Sequence, residues 1–427
     1  MTMRFTMSIL MAWVVFAFSA SAWATPHTQI LYRFSGRDGG GPRGPFVFDS
    51  AGNLYGVTYY GGQSSVGVVF QLSPPAVRGG TWTEKVLYSF TGGADGGFPN
   101  SGLTLDSSGN LYGTTYGGAT AGVAFQLSPP AVKGGSWNYS VLHSFSGVGI
   151  GDGAYPNGSL ARDSQGNLFG TTQMGGGVFC NSFPGPCGEV FELSPPALPG
   201  NPWTETVLYS FGGVPDGQFP YGNVILDSRG NLFGTTNQGG NGQCTDGESL
   251  VIGCGTVFEL SATGGTSVGT WTESILYNFQ LSEQNMPGSG LTLSGNGGGL
   301  YGTAGYTVFG VVPPSGGGTN WTKRTLYTFT EGISGTIPSS GVSLDPKGNL
   351  YGTTTSSGLS GFSTAFELSP PVQHGSWTET TLATFAGGFN GNQPVGGLVR
   401  GKFGWLYGAT SNGAPTGKNG YVFAIIP

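Results

Sequence analysis

The residues best equipped for chemistry are the carboxylates, 21 in a chain of 427, and 16 of them fall in slots that recur along the sequence. Four are the Asp of an Asp-Gly pair (Asp38, Asp95, Asp152, Asp216) and five sit in the pattern D-x-x-G-N (Asp49, Asp106, Asp163, Asp227, Asp345). Four more follow Trp-Thr (Glu84, Glu205, Glu273, Glu379) and three occupy Phe-Glu-Leu (Glu192, Glu259, Glu367). The five outside the pattern are Glu189, Asp246, Glu248, Glu283 and Glu331. Cleavage of a glycosidic bond needs only two carboxylates at a set separation. If the protein is an enzyme, Asp246 or Glu248 with Glu283 or Glu331 would serve. Glu283 also aligns with the Asp-Gly acids, giving a partial ring completed by Ser334 and Asn390 that would suit Ca²⁺ or sugar hydroxyls. The plainer reading of each Asp-Gly is a loop turn.

Other catalytic groups are few. Of three histidines, His27 lies near the start, His143 inside an apolar alternating segment and His374 in a connector, so neither a Ser-His-Asp triad nor a His-based metal centre is expected. A lyase could pair a Tyr with Arg43, but nothing in the spacing singles that pair out. Phe98, Tyr116, Tyr155, Phe219 and Tyr221 lie near the Asp-Gly loops and could stack on sugar rings; packing between repeats is the competing explanation. Cys180 with Cys187 and Cys244 with Cys254 read as two local disulfides among three possible connectivities. Zinc would want closer spacing. With 8% charged residues and a net charge of −6 there is no electrostatic footprint for nucleic acid.

The elements that must position these residues are legible in LDSSGNLYGTTYGG (105–118), which returns as RDSQGNLFGTT, LDSRGNLFGTT and LDPKGNLYGTT, with worn copies at 48–58, 293–304 and 400–410. The aromatic after its Leu falls at Tyr55, Tyr112, Phe169, Phe233, Tyr301, Tyr351 and Tyr407, seven copies at spacings of 50 to 68 residues. Such a period signals a propeller or solenoid. Within one period GLTLD and NLYGTT form a hairpin around SSGN, VAFQLSPP is a third strand stopped by prolines, and WNYSVLHSF is a fourth. Four strands times seven predicts an all-β fold, a seven-bladed propeller. The first strand, Ile30–Phe34, is of the fourth type, while the last repeat offers only three. The N-terminal strand therefore completes the last blade. In this frame Asp106 and its four equivalents cap their own turns.

Residues 1–24 read as a signal peptide, with a short basic region, an apolar run and Ala22-Trp23-Ala24, leaving 25–427 as one exported domain. The combination of LYSF, GLTLDSSGNLYGTTYGG, VFELSPP and WTETVLYSF resembles the bacterial extracellular tandem repeats called GloVer repeats, seen in choice-of-anchor proteins. The resemblance covers nearly the whole exported chain and implies no particular activity. The hairpins are also similar to those of NHL-type propellers, for which binding is the usual role. The sequence thus points to a secreted, non-catalytic binding or scaffold protein without a cofactor, its ligand a glycan or surface component. A polysaccharide-cleaving hydrolase or lyase is the alternative.

Overall fold

The computed structural model describes residues 26–426 apart from 78, 133, 148–150, 182–184, 199, 246, 248–249, 263–269, 284–285, 296–297, 315–319, 331–336, 339, 356–362, 373–374, 386–392 and 413–418. It contains seven antiparallel sheets, each four strands wide and, in blades 1 to 6, built from strands consecutive in the chain. Blade 1 runs outward through Gly40–Phe48, Leu54–Tyr60, Val68–Ser73 and Thr83–Ser89. Blades 2 to 6 repeat this order, and in blades 3, 4 and 6 the first strand is broken in two. Blade 7 is Pro394–Arg400, Leu406–Thr410 and Tyr421–Ile426, completed on its outer edge by His27–Arg33. The seven-bladed propeller and its closure by an N-terminal strand are as the sequence predicts.

The L-x-G-T-T core of the motif is explained residue by residue. Its Leu is buried in every blade, as at Leu54, Leu168 and Leu350. Its Gly is required because the third-strand Phe lies directly above it; a Cβ on any of the seven glycines would come within 2.5–2.8 Å of a Phe ring carbon, as at Gly170 beneath Phe191. The first Thr reaches the next blade: Thr171 Oγ1 donates to the Gly222 carbonyl at 3.0 Å and Thr235 Oγ1 to the Ser289 carbonyl at 2.8 Å. The second Thr holds its own blade, Thr115 Oγ1 accepting from the Val123 amide at 3.1 Å.

Aromatic pairs cement neighbouring blades. The Phe closing each fourth strand meets the third-strand Phe of the following blade, from Phe90–Phe125 at 5.4 Å to Phe385–Phe423 at 4.9 Å, and Phe34–Phe70 at 5.0 Å carries the series from blade 7 to blade 1. Such contacts are worth about 0.5–1.5 kcal/mol each beyond their buried area. Near the other end of the strands each recurrent Trp meets the aromatic after the motif Leu in the preceding blade, for example Trp137–Tyr55 and Trp203–Tyr112. The first strands gather around the axis with their backbones in contact: a Cβ on Gly222 would lie 2.4 Å from the Gly290 amide, and one on Gly396 2.6 Å from Gly44.

Candidate functional site

The Asp-Gly acids follow each fourth strand and face the Tyr within it. Asp38 accepts from Tyr32 Oη at 2.6 Å and from the Ser35 amide at 2.7 Å; Asp95 accepts from Tyr88 Oη at 2.9 Å and the Thr91 amide at 2.8 Å. Asp216 accepts from Tyr209 Oη at 3.1 Å and the Gly212 amide at 2.8 Å. Glu283 belongs to the same series, as its alignment implies, accepting from Tyr277 Oη at 3.0 Å and the Gln280 amide at 2.9 Å. In blade 2 the Tyr is replaced by His143, whose Nε2 lies 3.2 Å from Asp152 Oδ1. Each acid is thus engaged by its own turn, the plainer of the two sequence readings. The D-x-x-G-N acids behave likewise: Asp106 accepts from the Ser108 and Asn110 amides and the Asn110 side chain, each at 2.9 Å. Ser334, Asn390, Asp246, Glu248 and Glu331 lie outside the described residues, so five of the seven ring positions are placed, among them Glu283, the one described residue of the four carboxylates considered for catalysis.

A second recurrent position, which includes the acids after Trp-Thr, meets this series in a way the sequence does not show. Two residues beyond each Trp, the side chain packs beside the Tyr or His of the preceding blade. Tyr139 stacks on Tyr88 at 4.1 Å and donates to the Asp95 carbonyl at 2.7 Å. Lys323 sits 5.6 Å from the Tyr277 ring and pairs with Glu283. The same position holds Glu84 beside Asp38, Glu205 beside Asp152 and Glu273 beside Asp216, and each of these glutamates has a buried oxygen without a hydrogen-bond partner. Burial, reinforced by the neighbouring Asp charge, pushes Glu84 up to about 7 and Glu273 up to about 8. Burial also raises Asp216. Asp152 goes the other way: burial opposes its ionisation, but hydrogen bonds from His143 and Ser146 hold it at about 2. Around the third of these pairs lies a cavity of about 320 Å³, lined by Tyr209, Pro215, Asp216, Asn241, Glu273, Ile275 and Asn278.

The aromatics picked from the sequence form an arc at the start of the first strands. Phe98, Tyr155 and Phe219 occupy equivalent positions in blades 2, 3 and 4, and all three hold left-handed backbone, with φ of 58°, 60° and 55°. Such conformations cost a side-chain-bearing residue on the order of 1–3 kcal/mol and concentrate at functional sites. Tyr116 stacks on Tyr155 at 5.1 Å, and its backbone amide bonds the Phe98 carbonyl at 3.1 Å. Phe98 lies 5.5 Å from Tyr59, a residue the sequence did not single out, and Arg43 covers the same Tyr59 ring at 5.0 Å. Burial, with the neighbouring Tyr221, Tyr155 and Tyr59, raises the Tyr116 hydroxyl; Tyr221 is 42% exposed and the other rings are half-buried. The Nε of Arg43 has no hydrogen-bond partner.

Both local disulfides, Cys180–Cys187 and Cys244–Cys254, are present, with Cα separations of 5.2 and 5.1 Å. Each pins the loop between the second and third strands, in blades 3 and 4. No helix among the described residues is long and apolar enough to cross a membrane.

Comparison with known families matches residues 14–245 to the Gloeobacter/Verrucomicrobia repeat. The chain belongs to this repeat family. The GloVer resemblance is borne out, and the repeat now has a physical unit, one propeller blade. No curated protein matches the chain. Among solved structures, an ulvan lyase described as a new polysaccharide lyase family, bound to -[GlcA(1-4)Rha3S]-, aligns at 10% identity over 92% of this chain and 95% of its own, with a TM-score of 0.50. The PQQ domain of pyranose dehydrogenase from Coprinopsis cinerea aligns at 13% identity over 94% and 95%, with a TM-score of 0.45. At 10% identity the likeness to the lyase is one of fold alone.

Proposed function

We propose that this repeat protein is an extracellular binding module whose aromatic arc holds a polysaccharide carrying carboxylate or sulfate groups. The observation that carries the reading is the set of three strained aromatics, Phe98, Tyr155 and Phe219, presented at equivalent positions of consecutive blades. A packing role alone does not require bulky rings on left-handed backbone, where glycine would sit without strain; blade 1 has Gly41 at a φ of 61° in its own first strand. Stacking faces with polar tips suit sugar rings. Arg43, its guanidinium over the Tyr59 ring and its buried Nε without a hydrogen-bond partner, supplies positive charge beside the arc for an anionic substituent. Two disulfides fit an oxidising compartment.

The test is electrophoresis of the purified protein through gels containing single soluble polysaccharides, with release of reducing or unsaturated ends measured in parallel. Because the fold is shared with the ulvan lyase, the saccharide -[GlcA(1-4)Rha3S]- belongs in the panel. Retardation by an anionic glycan, lost in Arg43→Gln and in Tyr155→Ala without new ends, is the expected result. New ends would replace binding by cleavage. Unaltered migration in every gel would remove the glycan.

A further inference from the structure

Glu189 begins the third strand of blade 3, opposite Thr172. The residues in the same register of the other blades are Val68, Val123, Thr256, Thr307, Thr364 and Tyr421, all apolar or hydroxyl-bearing. The carboxylate therefore replaces a core side chain. It is 0% exposed, and both of its oxygens lack a hydrogen-bond partner. Burying an uncompensated carboxylate costs several kcal/mol or more. Two further acids converge on it. Asp152, Glu189 and Glu205 each offer one oxygen, and those atoms lie within 4.8 Å of one another, the one such group of three among the described residues. One oxygen of Glu205 is also buried and unpartnered.

We propose that Asp152, Glu189 and Glu205 hold one hard divalent cation of the calcium class. The span of the three oxygens matches a coordination sphere of roughly 2.3–2.6 Å radius, and an all-carboxylate donor set selects such ions over softer ones. The propeller carries its own comparison. In blade 5 the counterpart of Asp152 is Glu283, and the counterpart of Glu205 is Lys323, whose ammonium pairs with it. Where blade 5 places a covalently attached cation, blade 3 places a second acid and adds a third from the core. His143, a basic side chain beside the cluster, is already engaged with Asp152.

The experiment is equilibrium dialysis of chelator-treated protein against calcium chloride, with bound metal counted, for wild type, Glu189→Val and Glu205→Lys. The first variant installs the residue found in blades 1 and 2; the second installs the ammonium found in blade 5. Wild type should retain one calcium per chain more than either variant, and calcium should raise its melting temperature but not theirs. If Glu189→Val does not fold, Glu205→Lys decides alone. Equal calcium content in wild type and a folded variant, or none in wild type, would overturn the site, leaving Glu189 as a buried protonated acid.

Discussion

At the scale of single residues, the Asp-Gly acids and Glu283 divide by what faces them. Where the position beyond the Trp offers a donor, as Tyr139 or Lys323, the pair is satisfied; where it offers Glu84 or Glu273, two carboxyls share a half-buried site. That arrangement has a pH signature. Glu84 faces Asp38 and Tyr32, and Glu273 faces Asp216 and Tyr209. Their folded values, about 7 and about 8, lie above the ordinary 4.5. Below that ordinary value both folded and unfolded chains carry the protons. Between it and about 8 the unfolded carboxyl has ionised while the folded one keeps its proton, so stability falls as pH rises through the window. The melting temperature should therefore decline across this window, and Glu84→Gln with Glu273→Gln should flatten the decline. An unchanged slope would show that the pairs are not coupled to folding. The pairing was hidden in the sequence because each partner recurs in its own slot, some fifty residues apart. The signal that could have exposed it is in the odd repeat, where Lys323 replaces Glu and Glu283 replaces Asp.

At the scale of the blade, L-x-G-T-T is a packing device, and its glycine is the most sensitive point. Gly113→Ala would drive a methyl to 2.8 Å from Phe125 and 2.9 Å from Leu103. Overpacking of a filled core costs about 1–3 kcal/mol, so a fall of that size in denaturant unfolding is expected, with a smaller fall for Ser107→Ala at the exposed hairpin tip. Equal effects would mean the Phe can move aside. This much was legible in the sequence: the hairpin, its Asx turn, the third and fourth strands and both disulfides follow from alternation, turn chemistry and cysteine spacing. The close approach of Phe to Gly was not, because it joins strands in three dimensions. The Asp-Gly acids do bond their own turns, while their tyrosine partners, drawn from the preceding fourth strand, were not foreseen.

At the scale of the molecule, seven blades close on a strand from the chain start. Ile30 pairs with Phe423, and Phe34 packs on Phe70, so the strand joins blade 7 to blade 1. A chain beginning at Ser35 would expose the edge of Tyr421–Ile426, a run of apolar backbone open to pairing. It should elute as aggregate on size exclusion and melt lower than the full ring; a monodisperse, equally stable truncation would show that the clasp is dispensable. Seven-fold repetition also explains why fold was easier to read than function. Repeats display the residues that build blades many times over, whereas Arg43 and Glu189 each depart from the repeat at one place.

The most direct test of glycan binding is calorimetric titration of wild type and Tyr116→Ala/Tyr155→Ala with an anionic oligosaccharide retained by wild type in the gels. Loss of two stacking faces should weaken binding by roughly fivefold to a hundredfold, given about 0.5–1.5 kcal/mol per aromatic contact, while the melting temperature stays near that of wild type. Equal affinities in the two proteins would contradict the aromatic arc as the binding site.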